Sequence, residues 1–311
     1  MSLDAEFVRL LPALNSYFPR VETMTGQQLR TVIRERAVPA PRPAPVRAVA
    51  DRAVPSSAGD IAVRIYWPEK TSGPVPVVVF AHGGGFVFCD LDSHDELCRA
   101  MTNGIGAVVV SVDYRLAPES PWPAAAEDVY AAADWAVQEA AALGVDPGHL
   151  LVAGDSAGGN LAAVTALMAR DRDWPPIAGQ LLIYPVIAAN FGTPSYRRFG
   201  EGYYNTAAAM AWYWDQYVPA LADRSHPYAS PLPARLTGLP PTVVITAGCD
   251  PLCSEGSDYA KALVAAGVPT IHRDYEGAIH GFITMASLGI CTRAREQAWA
   301  DVCVLLSHSS E

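Results

Sequence analysis

Apolar positions follow two regimes along the chain. Up to residue 67 they are spaced or alternating. Phe7, Leu10, Leu11 and Leu14 recur at helical intervals, and segments 46–54 and 61–67 alternate apolar with polar residues. Period-two alternation marks strands buried on one face, and the Ser-Ser-Ala-Gly-Asp turn at 56–60 predicts an antiparallel hairpin at a sheet edge. The proline-rich run 37–45 before it cannot continue a helix and reads as an extended connector. From residue 75 onward the apolar runs are unbroken and rich in β-branched residues, at 75–80, 107–112, 150–153, 181–184 and 242–247, with an alternating strand at 270–275. Helix-length stretches separate them, with helices expected at 123–142, 156–170, 255–266 and 292–306. Continuous apolar strands alternating with helices predict a parallel sheet covered on both faces.

The span 188–224 is too long for a plain strand-to-helix connection. It carries Tyr203, Tyr204, Trp212, Tyr213, Trp214 and Tyr217, and reads as a lid packing with the N-terminal helices. Segments 1–45 and 188–224 are therefore expected to form one cap over a core built from 46–187 and 225–311.

Composition narrows the function classes. The 311 residues are 50% hydrophobic and 17% charged, which fits a compact globular chain, and the net charge is −10. With no basic field or Lys/Arg run, nucleic acid and anionic membranes lose their electrostatic attraction, whereas a neutral or cationic small substrate does not. Mean hydropathy is +0.14, yet no run approaches the roughly 18 apolar residues of a membrane span. Asp4 and Glu6 stand where a signal peptide would be positive, so the start reads as the first helix of a cytoplasmic protein. The six cysteines form no CxxC pair and stand at no metal-binding spacing, so they read as reduced, structural thiols and no metal is expected.

Chemistry concentrates at three places. Strand 150–153 runs into Gly154-Asp155-Ser156-Ala157-Gly158 and then a helix, the strand–turn–helix context in which G-x-S-x-G lifts a serine above a sheet. Ser156 is the candidate nucleophile, and the Ala157 N–H is free at a helix start to donate to an oxyanion. Strand 75–80 runs into His82-Gly83-Gly84-Gly85, where bare amides can approach an anion. Gly83 and Gly84 are the expected donors with Ala157, while His82 and Asp155 are expected to brace the loops. The order nucleophile, acid, base places the remaining partners downstream of Ser156. His280, in a glycine-flanked loop after the last strand, is preferred as base over His226. Asp250, closing strand 242–249, is preferred as acid over Glu255 and Asp258, which read as a helix N-terminal charge and a solvated face. Arg115 and Glu119 read as a charge pair bracing the loop beside the site. Phe86, Val87, Phe88, Tyr184, Tyr203, Tyr204 and Trp212 are candidate pocket walls by location alone.

Five motifs stand in order: His82–Gly85, Asp113 to Glu119 with Pro123-Ala124-Ala125, Gly154–Gly159, Asp250-Pro251-Leu252 and His280-Gly281-Phe282. With them the chain resembles the hormone-sensitive lipase family of α/β-hydrolase carboxylesterases, in the bacterial short-chain form with a GDSAG elbow. The resemblance implies an α/β-hydrolase fold, a mostly parallel eight-stranded sheet with helices on both faces and a helical cap. It also implies hydrolysis of short-to-medium-chain acyl esters through an acyl-enzyme, no cofactor, and a homodimer paired through the last sheet edge. One departure stands out: Ser254 occupies the place of an aspartate in the family's D-P-L-x-D-E, which puts the rigidity of the acid loop in question. Two other readings share these residues, an amidase using the same triad and a ligand-binding protein that performs no chemistry.

Overall fold

The structure, a computed structural model, describes residues 2–36, 43–71 and 73–308; most of the proline-rich connector lies outside them. One sheet of eight strands organises the chain, in the order β1-β2-β4-β3-β5-β6-β7-β8. β1 (Ala48–Val54) and β2 (Ile61–Trp67) form the expected edge hairpin. β3 (Val75–Ala81), β4 (Val108–Val112), β5 (Val145–Asp155), β6 (Gly179–Ile183), β7 (Thr242–Cys249) and β8 (Thr270–Ile279) are mutually parallel. β2 pairs antiparallel with both β1 and β4, so it alone runs against the rest.

Each central strand sends alternate side chains to opposite faces. From β3, Val77 and Val79 join one buried cluster and Val78 and Phe80 the other. The first cluster is closed by α4 (Ala124–Gln138), α6 (Ala157–Asp171) and α9 (Cys253–Ala265), the second by α3 (Asp95–Ile105) and α10 (Gly289–His308). The Ala-rich stretch after residue 123 breaks into α4 and a short α5 (Ala140–Leu143), and α3 is a helix the apolar pattern did not announce.

The span expected as a lid folds as α7 (Pro194–Phe199), α8 (Ala207–Tyr217) and a 3-10 turn Leu221–Ser225. Asn15, on the N-terminal helix α1 (Ala5–Tyr17), bridges it: its amide donates to Gly202 O at 2.8 Å and accepts Tyr204 N–H at 2.9 Å. α1 also reaches the far sheet edge. Asp4 N–H donates to Gly277 O at 3.0 Å, and the Glu6 carboxylate accepts the N–H groups of Gly289 and Ile290 at 3.1 and 3.2 Å.

Two electrostatic expectations change. Arg115 and Glu119 do not pair with each other: Arg115 forks onto buried Asp128 at 2.7 and 2.9 Å, and Glu119 pairs with Arg30. Glu255, expected as a helix N-terminal charge, does stand in the first turn of α9, but it is 2% exposed, with Oε1 accepting Ile187 N–H at 2.7 Å and Oε2 unpartnered. Burial pushes its carboxyl up from 4.5 to about 8, against the opposing pull of the Ile187 and Ala188 amides. The folded protein thus keeps a proton that the unfolded chain releases. The associated stability is full below the unfolded value and is lost as pH rises through the folded one. For Glu255→Gln, the melting temperature relative to wild type should therefore rise progressively from about pH 5 to about pH 8. A difference constant across that window would contradict the assignment.

Candidate active site

The parallel strands deliver the candidate residues to one end of the sheet. Ala81 pairs with Gly154 and Cys249 with Ile279, so the loops leaving β3, β5, β7 and β8 emerge together at carboxyl ends, where open α/β sheets bind ligands. Ser156 takes φ 54°, ψ −116° between β5 and α6. Its N–H donates to Ile183 O at 2.9 Å, and its carbonyl accepts from Asn160 and Val186, both at 3.1 Å, so the strained turn is held from both sides. A Cβ at Gly154 would lie 2.2 Å from Gly158 O, and one at Gly158 would lie 1.9 Å from Ala81 O. Those two distances are the physical reason for small residues on either side of the serine.

His280 Nε2 lies 2.9 Å from Ser156 Oγ, and its Nδ1 lies 2.7 Å from Asp250 Oδ2. A carboxylate only accepts, so Nδ1 carries the hydrogen and Nε2 faces the serine as an acceptor. Asp250 is fully buried, and its other oxygen accepts Leu252 N–H at 3.1 Å. The Tyr184 ring packs 4.8 Å from the imidazole. The Asp250 loop is also tied to the 188–224 span. Ser195 N–H donates to Ser254 Oγ at 3.2 Å, Ser254 N–H to Ser195 Oγ at 3.0 Å, and Ser195 Oγ–H to Pro251 O at 2.8 Å. Ser254, the departure from the family pattern, thus fastens the loop rather than loosening it. His226 lies on the surface against Trp122, and His272 bonds Thr246 at the far sheet edge, so neither approaches Ser156.

The glycine loop differs from expectation at one position. Gly83 N–H donates to Asp155 Oδ1 at 2.8 Å and so is already engaged. No acceptor among the described residues takes the N–H groups of Gly84, Gly85 or Ala157. Gly84 and Gly85, at φ 109° and 58°, line the cavity above Ser156. A Cβ at Gly85 would meet the Tyr213 ring at 2.4 Å, so the bare glycine lets that ring cover the loop. His82 is buried beneath. Its Nδ1–H donates to Gly83 O at 2.7 Å, its ring stacks on Tyr114 at 4.3 Å, and burial lowers it to about 4, so it is neutral. Burial alone would raise the Asp155 carboxyl, but His94 and the Gly83 N–H outweigh it and hold the group below the usual carboxylate range.

A cavity of about 200 Å³ opens over Ser156 and His280, walled by Phe18, Phe88, Tyr204, Met210 and Tyr213. Phe18 from the N-terminal segment meets Tyr204 of the 188–224 span edge-on at 5.1 Å, so both segments reach the mouth. Of the aromatic walls expected from sequence, Tyr204 and Phe88 line it. Phe86 is instead buried, stacked on Tyr217 at 3.7 Å, and Tyr184 is buried behind His280. Val87 is buried, Tyr203 packs against Phe199 at 5.0 Å, and Trp212 packs beside Tyr213 at 5.5 Å. Sequence reasoning missed His94, which also lines the cavity, because the order nucleophile, acid, base points only downstream of Ser156.

A family model described as an alpha/beta hydrolase fold matches residues 78–284. Esterase LipI of Mycobacterium tuberculosis is 42% identical over 267 residues, 84% of this chain and 81% of that protein. The chain belongs to the hormone-sensitive lipase family of α/β-hydrolases. Within the similarity, an ethyl acetate hydrolase of Pseudomonas putida is 38% identical over 230 residues, 73% of this chain and 72% of its own. The solved structure of a hyperthermophilic esterase from Pyrobaculum calidifontis matches with a TM-score of 0.91 at 40% identity, covering 98% of this chain and 99% of that one. Among the described residues, no helix is long and apolar enough to cross a membrane.

Proposed function

We propose that this protein is a serine carboxylesterase that hydrolyses small acyl esters through an acyl-enzyme. The observation that carries the reading is the relay from Asp250 through His280 to Ser156, 2.7 and 2.9 Å, at the floor of the cavity. In this mechanism Ser156 Oγ attacks the ester carbonyl while His280 Nε2 takes its proton, and Asp250 stabilises the imidazolium. The Gly84, Gly85 and Ala157 amides receive the oxyanion, with Gly83 replaced in that role by Gly85 because its own N–H serves Asp155. His280 then protonates the leaving alcohol, and water repeats the sequence in reverse to free the acid. Relatives named as esterases, one of them an ethyl acetate hydrolase, support the same reaction class.

Substrate size follows from the cavity, which at about 200 Å³ lies below the ~300–1,000 Å³ of sites for drug-sized ligands. On p-nitrophenyl esters, kcat/KM should peak near about four acyl carbons and fall about tenfold or more by about twelve. A flat profile would remove the size argument. A stoichiometric burst of p-nitrophenol, abolished by a serine-directed phosphonate that labels Ser156, is the expected signature of the acyl-enzyme. Labelling elsewhere, or turnover that persists after labelling, would end the proposal. A matched anilide should be cleaved far more slowly; equal rates would indicate an amidase.

A further inference from the structure

The cavity wall holds a second Ser-His-Asp arrangement that the mechanism does not use. Ser93 Oγ lies 3.0 Å from His94 Nδ1, and His94 Nε2 lies 3.1 Å from Asp155 Oδ1. Hydrogen accounting shows that it is not a nucleophile and its base. Ser93 Oγ donates its single hydrogen to Asp90 O at 2.6 Å and accepts Asp90 N–H at 3.0 Å. Toward His94 it has only a lone pair to offer, so Nδ1 must be the donor. Nε2 faces a carboxylate and is also a donor. Both ring nitrogens therefore carry hydrogen, and His94 is an imidazolium paired with the Asp155 carboxylate, both side chains 6% exposed. The neighbouring ring, His82 at 5.6 Å, is neutral, so the charge that balances Asp155 comes from His94.

The pair meets the glycine loop at Asp155 Oδ1, which also accepts Gly83 N–H at 2.8 Å. Three consecutive glycines have wide conformational freedom. The two that follow Gly83 sit at positive φ and carry free N–H groups; the Gly84 carbonyl accepts the Val87 and Phe88 N–H groups, both at 3.0 Å, which fixes the downstream end, and the Gly83 N–H fixes the upstream end. We propose that His94 is a positioning residue for the oxyanion loop: as a cation it holds the Asp155 carboxylate in place, Asp155 holds the Gly83 amide, and Gly84 and Gly85 are thereby aimed at the carbonyl oxygen under attack. The inference rests on the esterase reading above.

His94→Gln retains an N–H of similar reach without the charge. Against wild-type protein shown to hydrolyse p-nitrophenyl butyrate in a Ser156-dependent way, kcat should fall about tenfold or more with KM within about twofold, the pattern of a lost transition-state interaction. A trifluoromethyl ketone, which adds Ser156 Oγ to form a tetrahedral oxyanion, should lose affinity by the same factor. The corresponding alcohol, which forms none, should bind as before. Asp155→Asn should be worse than His94→Gln, because it leaves a buried cation opposite an amide. The double variant His94→Gln/Asp155→Asn, with no buried charge at the pair, should regain part of the activity that Asp155→Asn lost. It carries the test if His94→Gln alone does not fold. Unchanged kcat in His94→Gln, equal weakening of ketone and alcohol, or additive losses in the double variant would each overturn the role. Wild-type protein without Ser156-dependent hydrolysis would fail the esterase reading itself, a different result that removes this inference as well.

Discussion

Ser156→Ala is expected to lower kcat by about 10⁴- to 10⁶-fold while leaving the melting temperature almost unchanged. The residue is 7% exposed and contributes one hydroxyl whose hydrogen goes to His280, so removing it deletes the nucleophile and little packing. The turn that holds it depends on the backbone bonds to Ile183, Asn160 and Val186 and on the glycines at 154 and 158, none of which the substitution touches. Intact-mass measurement after mixing with an activated ester should show an acyl adduct on the wild-type chain and none on the variant. Ester hydrolysis retained at more than about a hundredth of the wild-type rate, with the fold intact, would mean that another group attacks.

Asp250→Asn should cost about 10⁴-fold in kcat, with the protein still folded. The amide matches the carboxylate in shape and its oxygen can still accept Leu252 N–H. The remaining NH₂ would then face His280 Nδ1, and a donor there requires Nδ1 to accept. The hydrogen moves to Nε2, which can no longer take a proton from Ser156. Unlike Ser156→Ala, this variant keeps its nucleophile, so slow stoichiometric labelling by an activated phosphonate should persist. A loss of less than about tenfold in kcat would show that another group fixes the imidazole.

The strands of the sheet were legible because a strand covered on both faces must be apolar throughout, a pattern that 75–80 and 242–247 carry without help from any other level. The elbow was legible because sterics at 154 and 158 exclude side chains. Within the glycine loop the register was not, since three identical residues give no indication of which amide is free. That is decided by a carboxylate 72 positions away in sequence. His94 was hidden for a similar reason: the order rule applies to the base, and nothing local marks a histidine that meets Asp155 only through the fold. Pocket walls failed for yet another reason. An aromatic residue near the site satisfies the hydrophobic effect equally well by facing inward, as Phe86 does against Tyr217, or by lining a cavity, as Tyr204 does. Only the backbone direction separates them.

The contacts of Asp4 and Glu6 with Gly277, Gly289 and Ile290 bear on how the protein is made. A ribosome extrudes the glycine loop and Ser156 while the segment that carries the base, 270–280, is still untranslated. Over the 124 positions that separate Ser156 from His280 the serine has no partner imidazole, and a serine hydroxyl without a base is nearly inert. On the proposed mechanism the relay is completed only when β8 adds to the edge of β7, and Asp4 and Glu6 then close over that edge. On that reading the order of translation keeps Ser156 unreactive until the sheet is complete.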